Sequence, residues 1–144
     1  MWLEHMAMRA LPVEAYPFPY AGGELDFRPL LNAIISDRSR GRDLPEIARG
    51  FQLGIARVIY DAAIVLCQQH QVDTLALSGG VFQNELLLSD LKTLFAGTNL
   101  RVWTNHAVPP NDGGISLGQA ALAVAAIEPA TKQLAKVAHE TTFA

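Results

Sequence analysis

Two glycine pairs in this sequence each follow a short apolar run and precede a helical pattern. The first lies in the Ser-Gly-Gly of residues 78–80, and the second ends the Pro-Pro-Asn-Asp-Gly-Gly of residues 109–114. Glycine lets a ligand oxygen approach the backbone amides, and a following helix N-terminus favours an anion. Asp112 offers the oxygen ligand that a hard cation prefers. The two loops therefore predict one shared pocket for a phosphate-bearing ligand and a cation.

Each of these features also has a purely structural interpretation. Residues 78–80 can form a tight turn after a strand, because a single glycine pair is a weak motif. Asn84 can cap the next helix, or its amide can meet a ribose hydroxyl or a phosphate. Asp112 can be the N-cap of the helix that follows it. Residue spacing alone leaves these alternatives open.

The other reactive side chains do not complete a catalytic site. The histidines are too far apart in sequence for a paired metal motif, and His106 alone stands near the predicted pocket; they are His5, His70, His106 and His139. Cys67 falls in a long helical pattern, where a buried and inert thiol is expected. The sequence contains no Ser-His-Asp order, no P-loop and no Cys-x-x-Cys. No catalytic residue is therefore assigned.

The composition indicates one globular domain. The chain has 144 residues, of which 50% are hydrophobic and 17% are charged, which is enough apolar material for a core. A net charge of −3 and the absence of a basic face argue against a nucleic-acid partner. One cysteine excludes an internal disulfide and fits a cytoplasmic location. No apolar stretch long enough for a membrane span is expected, and no signal peptide is recognised at the N-terminus.

Helical and strand patterns alternate through the second half of the chain. The spacing predicts a long helix from Asp43 to near His70, a strand at 72–77, a helix after Asn84, a strand at 100–104 and a helix at 113–127. This order is typical of an α/β fold with neighbouring parallel strands. Ligands of such sheets bind beyond the carboxyl ends of the strands, where both glycine pairs stand.

The chain divides into three parts around this α/β core. Residues 1–42 are expected to be irregular with short elements, residues 43–127 to be the core, and residues 128–144 to be a tail. The apolar pattern begins at once at the N-terminus, so we expect the chain to be a C-terminal piece of a longer protein.

Several local signals predict how the helices begin, end and pack. Asp43 and Glu46 have the spacing of a capping box at the start of the long helix. Gly50 and Gly54, one turn apart, indicate close approach of a neighbouring backbone. Gly97 is expected to end the helix that follows Asn84.

Two motifs together resemble the C-terminal region of the HypF carbamoyltransferases of [NiFe]-hydrogenase maturation. They are Leu-Ser-Gly-Gly-Val-Phe-Gln-Asn at residues 77–84 and Val-Pro-Pro-Asn-Asp-Gly-Gly-Ile-Ser-Leu-Gly-Gln at residues 108–119. The Ala-Tyr-Pro-Phe of residues 15–18 and the long helix fit the same region. The second motif is specific, whereas related tRNA-modifying enzymes and small-molecule O-carbamoyltransferases share the first.

The resemblance implies an RNase-H-like lobe of the actin-like ATPase (ASKHA) fold, the second lobe of an incomplete carbamoyltransferase domain. It implies that ATP and carbamoyl phosphate give a carbamoyl-adenylate, whose carbamoyl group passes to the C-terminal cysteine of HypE for the cyanide ligand of iron. Ser78, Gly79, Gly80 and Asn84 would then contact the nucleotide, and Asp112 would be a ligand of a divalent metal.

The sequence also departs from the family pattern. It has no His-x-x-x-His pair, so most metal ligands would lie elsewhere and the chain alone should be nearly inactive. A lobe without its partner would expose an apolar face, so self-association is expected. The alternatives are a fragment of a tRNA threonylcarbamoyladenosine enzyme or of an O-carbamoyltransferase, and, in another class, a non-catalytic module that docks a protein.

Overall fold

From residue 43 onwards the chain alternates helices and strands, as the sequence predicts. The computed structural model describes residues 2–127, so the predicted tail at 128–144 lies outside the described residues. The helices are α1 (Trp2–Ala7), α2 (Arg28–Ser39), α3 (Leu44–His70), α4 (Glu85–Phe95) and α5, residues 115–127. The strands are β1 (Tyr20–Ala21), β2 (Glu24–Leu25), β3 (Thr74–Leu77) and β4 (Arg101–Thr104), and single 3₁₀ turns span Gly80–Gln83 and Asp112–Gly114.

The predicted parallel strands are confirmed. β3 and β4 pair in parallel, with Leu75 opposite Val102 and Leu77 opposite Thr104. β1 and β2 form a separate antiparallel hairpin. Because the two strands run in the same direction, with α4 as the crossover between them, their carboxyl ends lie at one edge of the sheet. The fold is therefore of the α/β class.

The main core lies between α3, α4 and the parallel sheet. Its fully buried side chains come from all three, and they are Ala56, Ala63, Leu77, Leu87, Leu91 and Phe95. The alanines of α3 allow α4 to approach closely, and each buried leucine contributes about 1.5–3 kcal/mol to folding.

The segment around Tyr16, before β1, lies directly on Gly50 and Gly54 of α3, which confirms the predicted close approach of a neighbouring backbone. The amide of Tyr16 donates to the carbonyl of Gly50 at 3.0 Å. A β-carbon at Gly54 would lie 2.7 Å from the carbonyl oxygen of Tyr16. Only glycine leaves room for the backbone there, so α3 anchors the segment that leads into β1.

The predicted helix ends are partly wrong. Asp43 is at the N-cap of α3 but its side chain makes no capping hydrogen bond, and Glu46 instead accepts from Arg42 at 2.8 Å, so no capping box forms. α4 ends at Phe95 with Ala96 as its C-cap, directly before Gly97 as expected, although Gly97 has no positive φ and forms no left-handed cap. The left-handed cap belongs to Gln71, with φ 54° at the end of α3, where hydrogen bonds to two preceding carbonyls stabilise it.

Helix α3 contradicts the expectation that no segment could span a membrane. By length and composition alone its 27 residues suffice to cross one. A core helix of a soluble protein passes the same test, and α3 packs against α1, α2 and α4. We interpret it as the central helix of the domain.

Candidate functional site

A cavity of about 560 Å³ opens at the carboxyl ends of β3 and β4. The loop after β3 forms one side of it, the loop after β4 forms another, and the first turns of α5 complete it. Its lining includes Ser78, Gly79, Asn105, Pro110, Asn111 and Asp112. The structure thus brings Ser78, Gly79 and Asp112 together, whereas Gly80 and Asn84 lie outside this lining.

A backbone hydrogen bond joins the two glycine loops. The amide of Gly79 donates to the carbonyl of Pro110 at 2.7 Å. Gly79 has φ 107° and ψ 159°, a backbone conformation that only glycine adopts without strain. A β-carbon at Gly80 would lie 3.9 Å from the Asn111 β-carbon. Glycine at 79 therefore holds the loops in contact along one wall of the cavity.

This hydrogen bond changes which amides a ligand can reach. The Gly79 amide is occupied by Pro110 and does not face a ligand as a free donor. Within residues 2–127, the amides of Gly80 and Val81, at the start of the 3₁₀ turn, have no hydrogen-bond partner. They are the donors that this loop leaves for an anion.

Asn84 caps α4, which confirms its structural interpretation. The amide of Leu87 donates to Asn84 Oδ1 at 2.9 Å, and Gln52 Nε2 donates to the same oxygen at 3.0 Å. Gln52 lies in the middle of α3 and is 3% exposed. The cap oxygen is fully used by the protein, so only the Nδ2 of Asn84 remains for a ligand.

Glu4 occupies the N-terminus of α4 from another helix. The amide of Leu86 donates to Glu4 Oε1 at 3.2 Å, and Glu4 is buried in α1. A carboxylate at a helix N-terminus complements the helix dipole. The positive end of α4 is therefore satisfied by protein, and the expected contribution of this helix to anion binding is not available.

Asp112 is exposed at the mouth of the cavity, and it is not the helix cap that the sequence allowed. The cap is its neighbour Asn111, whose Oδ1 accepts from the Gly113 amide at 3.0 Å. Among the described residues the Asp112 carboxylate makes no hydrogen bond or ion pair. Its oxygens are thus free to meet a ligand that lies in the cavity.

The described part of the chain does not contain a metal site of its own. Between residues 2 and 127, no three side chains of His, Cys, Asp or Glu cluster closely enough to hold an ion. His106, the histidine nearest the cavity, is exposed and lies 3.2 Å from the Thr104 hydroxyl. Cys67 is buried in α3, as expected. A metal at Asp112 would therefore need further ligands besides the His, Cys, Asp and Glu side chains of these residues.

The comparison with known families agrees with the motifs. Residues 1–119 match the family described as "Carbamoyltransferase, Kae1-like Domain, second subdomain". The chain belongs to this family. It corresponds to the C-terminal subdomain of HypF proteins, as the sequence motifs predict.

Several HypF proteins are similar over most of the chain. The "Carbamoyltransferase HypF" of Rhodobacter capsulatus is 31% identical over 128 residues, which cover 89% of this chain and 16% of the relative. The structure of full-length HypF in the phosphate- and nucleotide-bound form has a TM-score of 0.73 at 33% identity, covering 84% of this chain and 16% of that one. The HypF of T. kodakarensis has a TM-score of 0.78 at 27% identity and covers 90% and 17%.

A tRNA-modifying enzyme is also related. The "tRNA N6-adenosine threonylcarbamoyltransferase" of Nostoc is 30% identical over 96 residues, which cover 65% of this chain and 28% of that enzyme. The chain spans about a sixth of the HypF relatives' length.

Sequence reasoning missed Glu4 and Gln52 as partners of the α4 N-terminus. The hydrogen bonds that they make join residues 82 and 32 positions apart. No local pattern reports such contacts, although a glutamine on the apolar side of a helix is the kind of exception that signals a buried polar contact.

Proposed function

We propose that this chain is one half of the nucleotide site of a HypF-type carbamoyltransferase. The observation that carries the proposal is the shared cavity: Ser78, Gly79 and Asp112 come from two loops and meet beyond the carboxyl ends of parallel strands. This is the edge at which α/β sheets bind ligands. Family membership supports the same interpretation.

The proposed domain is an RNase-H-like lobe of the actin-like ATPase (ASKHA) fold, with the nucleotide held between two lobes. The open cavity supports this arrangement, because the loops after β3 and β4 and the start of α5 bound it while the rest stays open to solvent. The exposed apolar side chains of α5, such as Leu122, supply a surface for the other lobe. The domain is incomplete without that lobe.

The proposed ligand is ATP and the carbamoyl-adenylate made from it. Ser78, Gly79, Gly80 and Asn84 are the proposed contacts. The Gly80 and Val81 amides suit phosphate oxygens, and Asn84 Nδ2 suits another acceptor. A HypF structure at 33% identity is described as phosphate- and nucleotide-bound, which supports a nucleotide as the ligand.

Asp112 is proposed as one ligand of a divalent metal that the complete domain holds. The exposed carboxylate fits this task, but within residues 2–127 no cluster of three His, Cys, Asp or Glu side chains surrounds it. A metal needs several ligands for affinity, so its remaining ligands would come from the first lobe.

In the complete protein, water would release inorganic phosphate from carbamoyl phosphate to leave carbamate, and a carbamate oxygen would attack the α-phosphorus of ATP to give carbamoyl-adenylate and pyrophosphate. The C-terminal thiol of a HypE-type acceptor would attack the carbamoyl carbon and displace AMP. The carbamoyl group on that cysteine would then become the source of the cyanide ligand of the [NiFe] site. We expect this protein to act in the cytoplasm, without a nucleic-acid or membrane partner.

The tRNA-modifying alternative is the second candidate, since one such enzyme is 30% identical. The net charge of −3 disfavours it, because tRNA binding depends on basic surface and falls with salt. An O-carbamoyltransferase of small molecules would bind the nucleotide with the same residues of the cavity. A docking module without a nucleotide would make ATP affinity insensitive to changes in the cavity.

The test compares Asp112→Ala with Asp61→Ala in the HypF-type protein that carries this chain. We expect Asp112→Ala to lower metal content and carbamoyl-phosphate-dependent ATP–pyrophosphate exchange by at least about tenfold, since it removes a charged ligand. Asp61 is the matched control, because it makes only a surface ion pair with Arg57 on α3. The exchange assay and metal analysis are run on the same preparations.

Three outcomes would contradict the proposal. Unchanged metal content in Asp112→Ala would remove Asp112 from the metal site. Robust exchange by the isolated chain would show that no second lobe is needed. Tight, salt-sensitive tRNA binding would favour the tRNA-modifying enzyme instead.

A further inference from the structure

We propose that Gln52 is a positioning residue, which fixes the Asn84 side chain so that it meets the nucleotide as a hydrogen-bond donor. The inference rests on the proposed function, because it needs a nucleotide beside Asn84. The observation behind it is a chain of hydrogen bonds from the backbone of α4 into the middle of α3.

The backbone fixes the orientation of both side-chain amides. The Leu87 amide is a donor and lies 2.9 Å from Asn84, so the Asn84 atom facing it is the acceptor Oδ1. Gln52 lies 3.0 Å from the same oxygen, so the Gln52 atom facing it is the donor Nε2. Rotation of either amide by 180° would place like groups against each other.

This orientation determines what Asn84 offers to a ligand. Its Oδ1 already accepts two hydrogen bonds, while its Nδ2 donates none to the described residues. Asn84 therefore presents a donor, which suits a phosphate oxygen, a ribose oxygen or a ring nitrogen. It does not suit a donor group of the ligand.

The arrangement leaves a buried polar atom without a partner. Gln52 Oε1 is buried and has no hydrogen bond within the described residues, and Gln52 is 3% exposed. An unpaired buried carbonyl lowers stability, and methionine would fill the same space without that loss. Packing alone does not explain a glutamine here, whereas orientation of Asn84 does.

Two substitutions separate orientation from packing. Gln52→Met removes the donor to Asn84 together with the unpaired carbonyl, so we expect stability to be kept or raised while ATP affinity falls about threefold to tenfold. Asn84→Asp keeps an oxygen for the Leu87 amide and for Gln52 but replaces the outward donor with an acceptor. We expect this substitution to weaken ATP binding at least about tenfold, with little loss of stability.

The matched control is Gln69→Met, because Gln69 is an exposed glutamine of the same helix. All four proteins are compared as the complete HypF-type protein, by ATP titration, by the KM for ATP against kcat, and by thermal unfolding. We expect the KM to rise in Gln52→Met and Asn84→Asp with kcat near the unsubstituted value. Gln69→Met should match the unsubstituted protein in every measurement.

A nuclear magnetic resonance experiment on the unsubstituted protein tests the orientation directly. We expect a coupling across the hydrogen bond from the Leu87 amide to the Asn84 side-chain carbonyl, and a shift of the Asn84 side-chain NH2 signal on addition of ATP. If Gln52 had only a structural role, Gln52→Met would change the affinity for ATP only where it also changes the thermal stability.

Each result decides one proposal. If the unsubstituted protein binds ATP and Gln52→Met binds it equally well, the positioning proposal is wrong, whatever Asn84→Asp does. Equal binding by Asn84→Asp as well would also remove Asn84 from the proposed nucleotide contacts, while the contacts at residues 78–80 would stand. If the unsubstituted protein does not bind ATP, both are wrong. Weaker ATP binding at unchanged stability in both variants supports the positioning role.

Discussion

At the scale of single residues, two close contacts between backbone segments determine how the loops and the N-terminal segment lie in this chain. The Gly79 amide holds the Pro110 carbonyl at 2.7 Å, and Gly54 admits the backbone of Tyr16. In both places a side chain would either strain the backbone or collide with it. The walls of the cavity and the path of the N-terminal segment thus depend on individual glycines.

Gly54→Ala is expected to destabilise the chain. The added β-carbon would lie 2.7 Å from the Tyr16 carbonyl oxygen, so α3 and the N-terminal segment must separate, at a cost of about 1–3 kcal/mol in the free energy of unfolding. Urea unfolding followed by circular dichroism measures it.

Gly97→Ala is the matched control for this measurement. Nothing lies within 4 Å of its would-be β-carbon, so its unfolding midpoint should equal or exceed that of the unsubstituted chain. Equal free energies of unfolding for the two variants would contradict the prediction, because the close contact at Gly54 would then not affect stability.

At the scale of elements, α3 is the helix on which the other parts are assembled. One side of it meets α4 and the sheet, and another side meets α1, α2 and the segment before β1. Tyr16 closes this second side: its hydroxyl donates to Asp37 Oδ2 at 2.6 Å, and Arg42 donates to the same oxygen at 2.6 Å. The contact ties the end of α2 to the segment lying on α3.

The hydrogen bond between Tyr16 and Asp37 predicts a pH dependence of stability. Burial, together with the Asp37 carboxylate, raises the pKa of Tyr16 to about 12. The hydrogen bond from Tyr16, with that from Arg42, lowers the pKa of Asp37. Above pH ~10 the unfolded tyrosine loses its proton first, so this stabilisation is lost as pH rises towards the folded value. The contribution of Asp37 is lost on acidification below pH ~4.

Tyr16→Phe tests this dependence while keeping the ring. The difference in the free energy of unfolding between the unsubstituted chain and the variant should be largest between pH ~4 and ~10. It should become smaller below pH ~4 and above pH ~10. Urea unfolding over this pH range measures it. Tyr60→Phe is the control, because in residues 2–127 the Tyr60 hydroxyl makes no hydrogen bond and its ring packs on Phe95. A difference that stays constant with pH would contradict the prediction.

At the scale of the whole molecule, the described residues leave helix α5 uncovered, with every residue from 115 to 127 exposed. The side chains of Leu122, Val124 and Ile115 in α5 are 74%, 59% and 55% exposed. Trp103, on the face of the sheet away from α3 and α4, is 64% exposed. Such a surface favours association, in agreement with a chain that spans about a sixth of its relatives.

The isolated chain is therefore expected to self-associate, and Leu122→Glu should weaken this. A charge at the most exposed leucine of α5 cannot be buried without a large desolvation cost. Sedimentation velocity over a range of concentrations measures the effect, and Ser89→Glu, at an exposed position of α4, adds the same single negative charge as a control. A monomer at every concentration would contradict the expectation.

Much of the fold could be predicted from the sequence because its signals are local. Periodicity within α3, α4 and α5 and the short runs of β3 and β4 require no knowledge of distant contacts. The cap at Asn84 is also a local signal, although spacing alone left a contact with a ligand as the other interpretation. The capping box at Asp43 failed because Glu46 pairs with Arg42 instead, a competition between neighbours that spacing does not resolve.

The sequence by itself determined the α/β order, the two glycine loops and the family, because periodicity and the motif at residues 108–119 are carried by neighbouring residues. Only the tertiary structure decided that Gly79 binds Pro110, that Asn111 rather than Asp112 is the cap, and that Glu4 and Gln52 reach the start of α4. Most of these contacts join residues far apart in the chain. Pairing of β3 with β4 brings Gly79 to Pro110, and packing of α1 and α4 on α3 brings Glu4 and Gln52 to the start of α4.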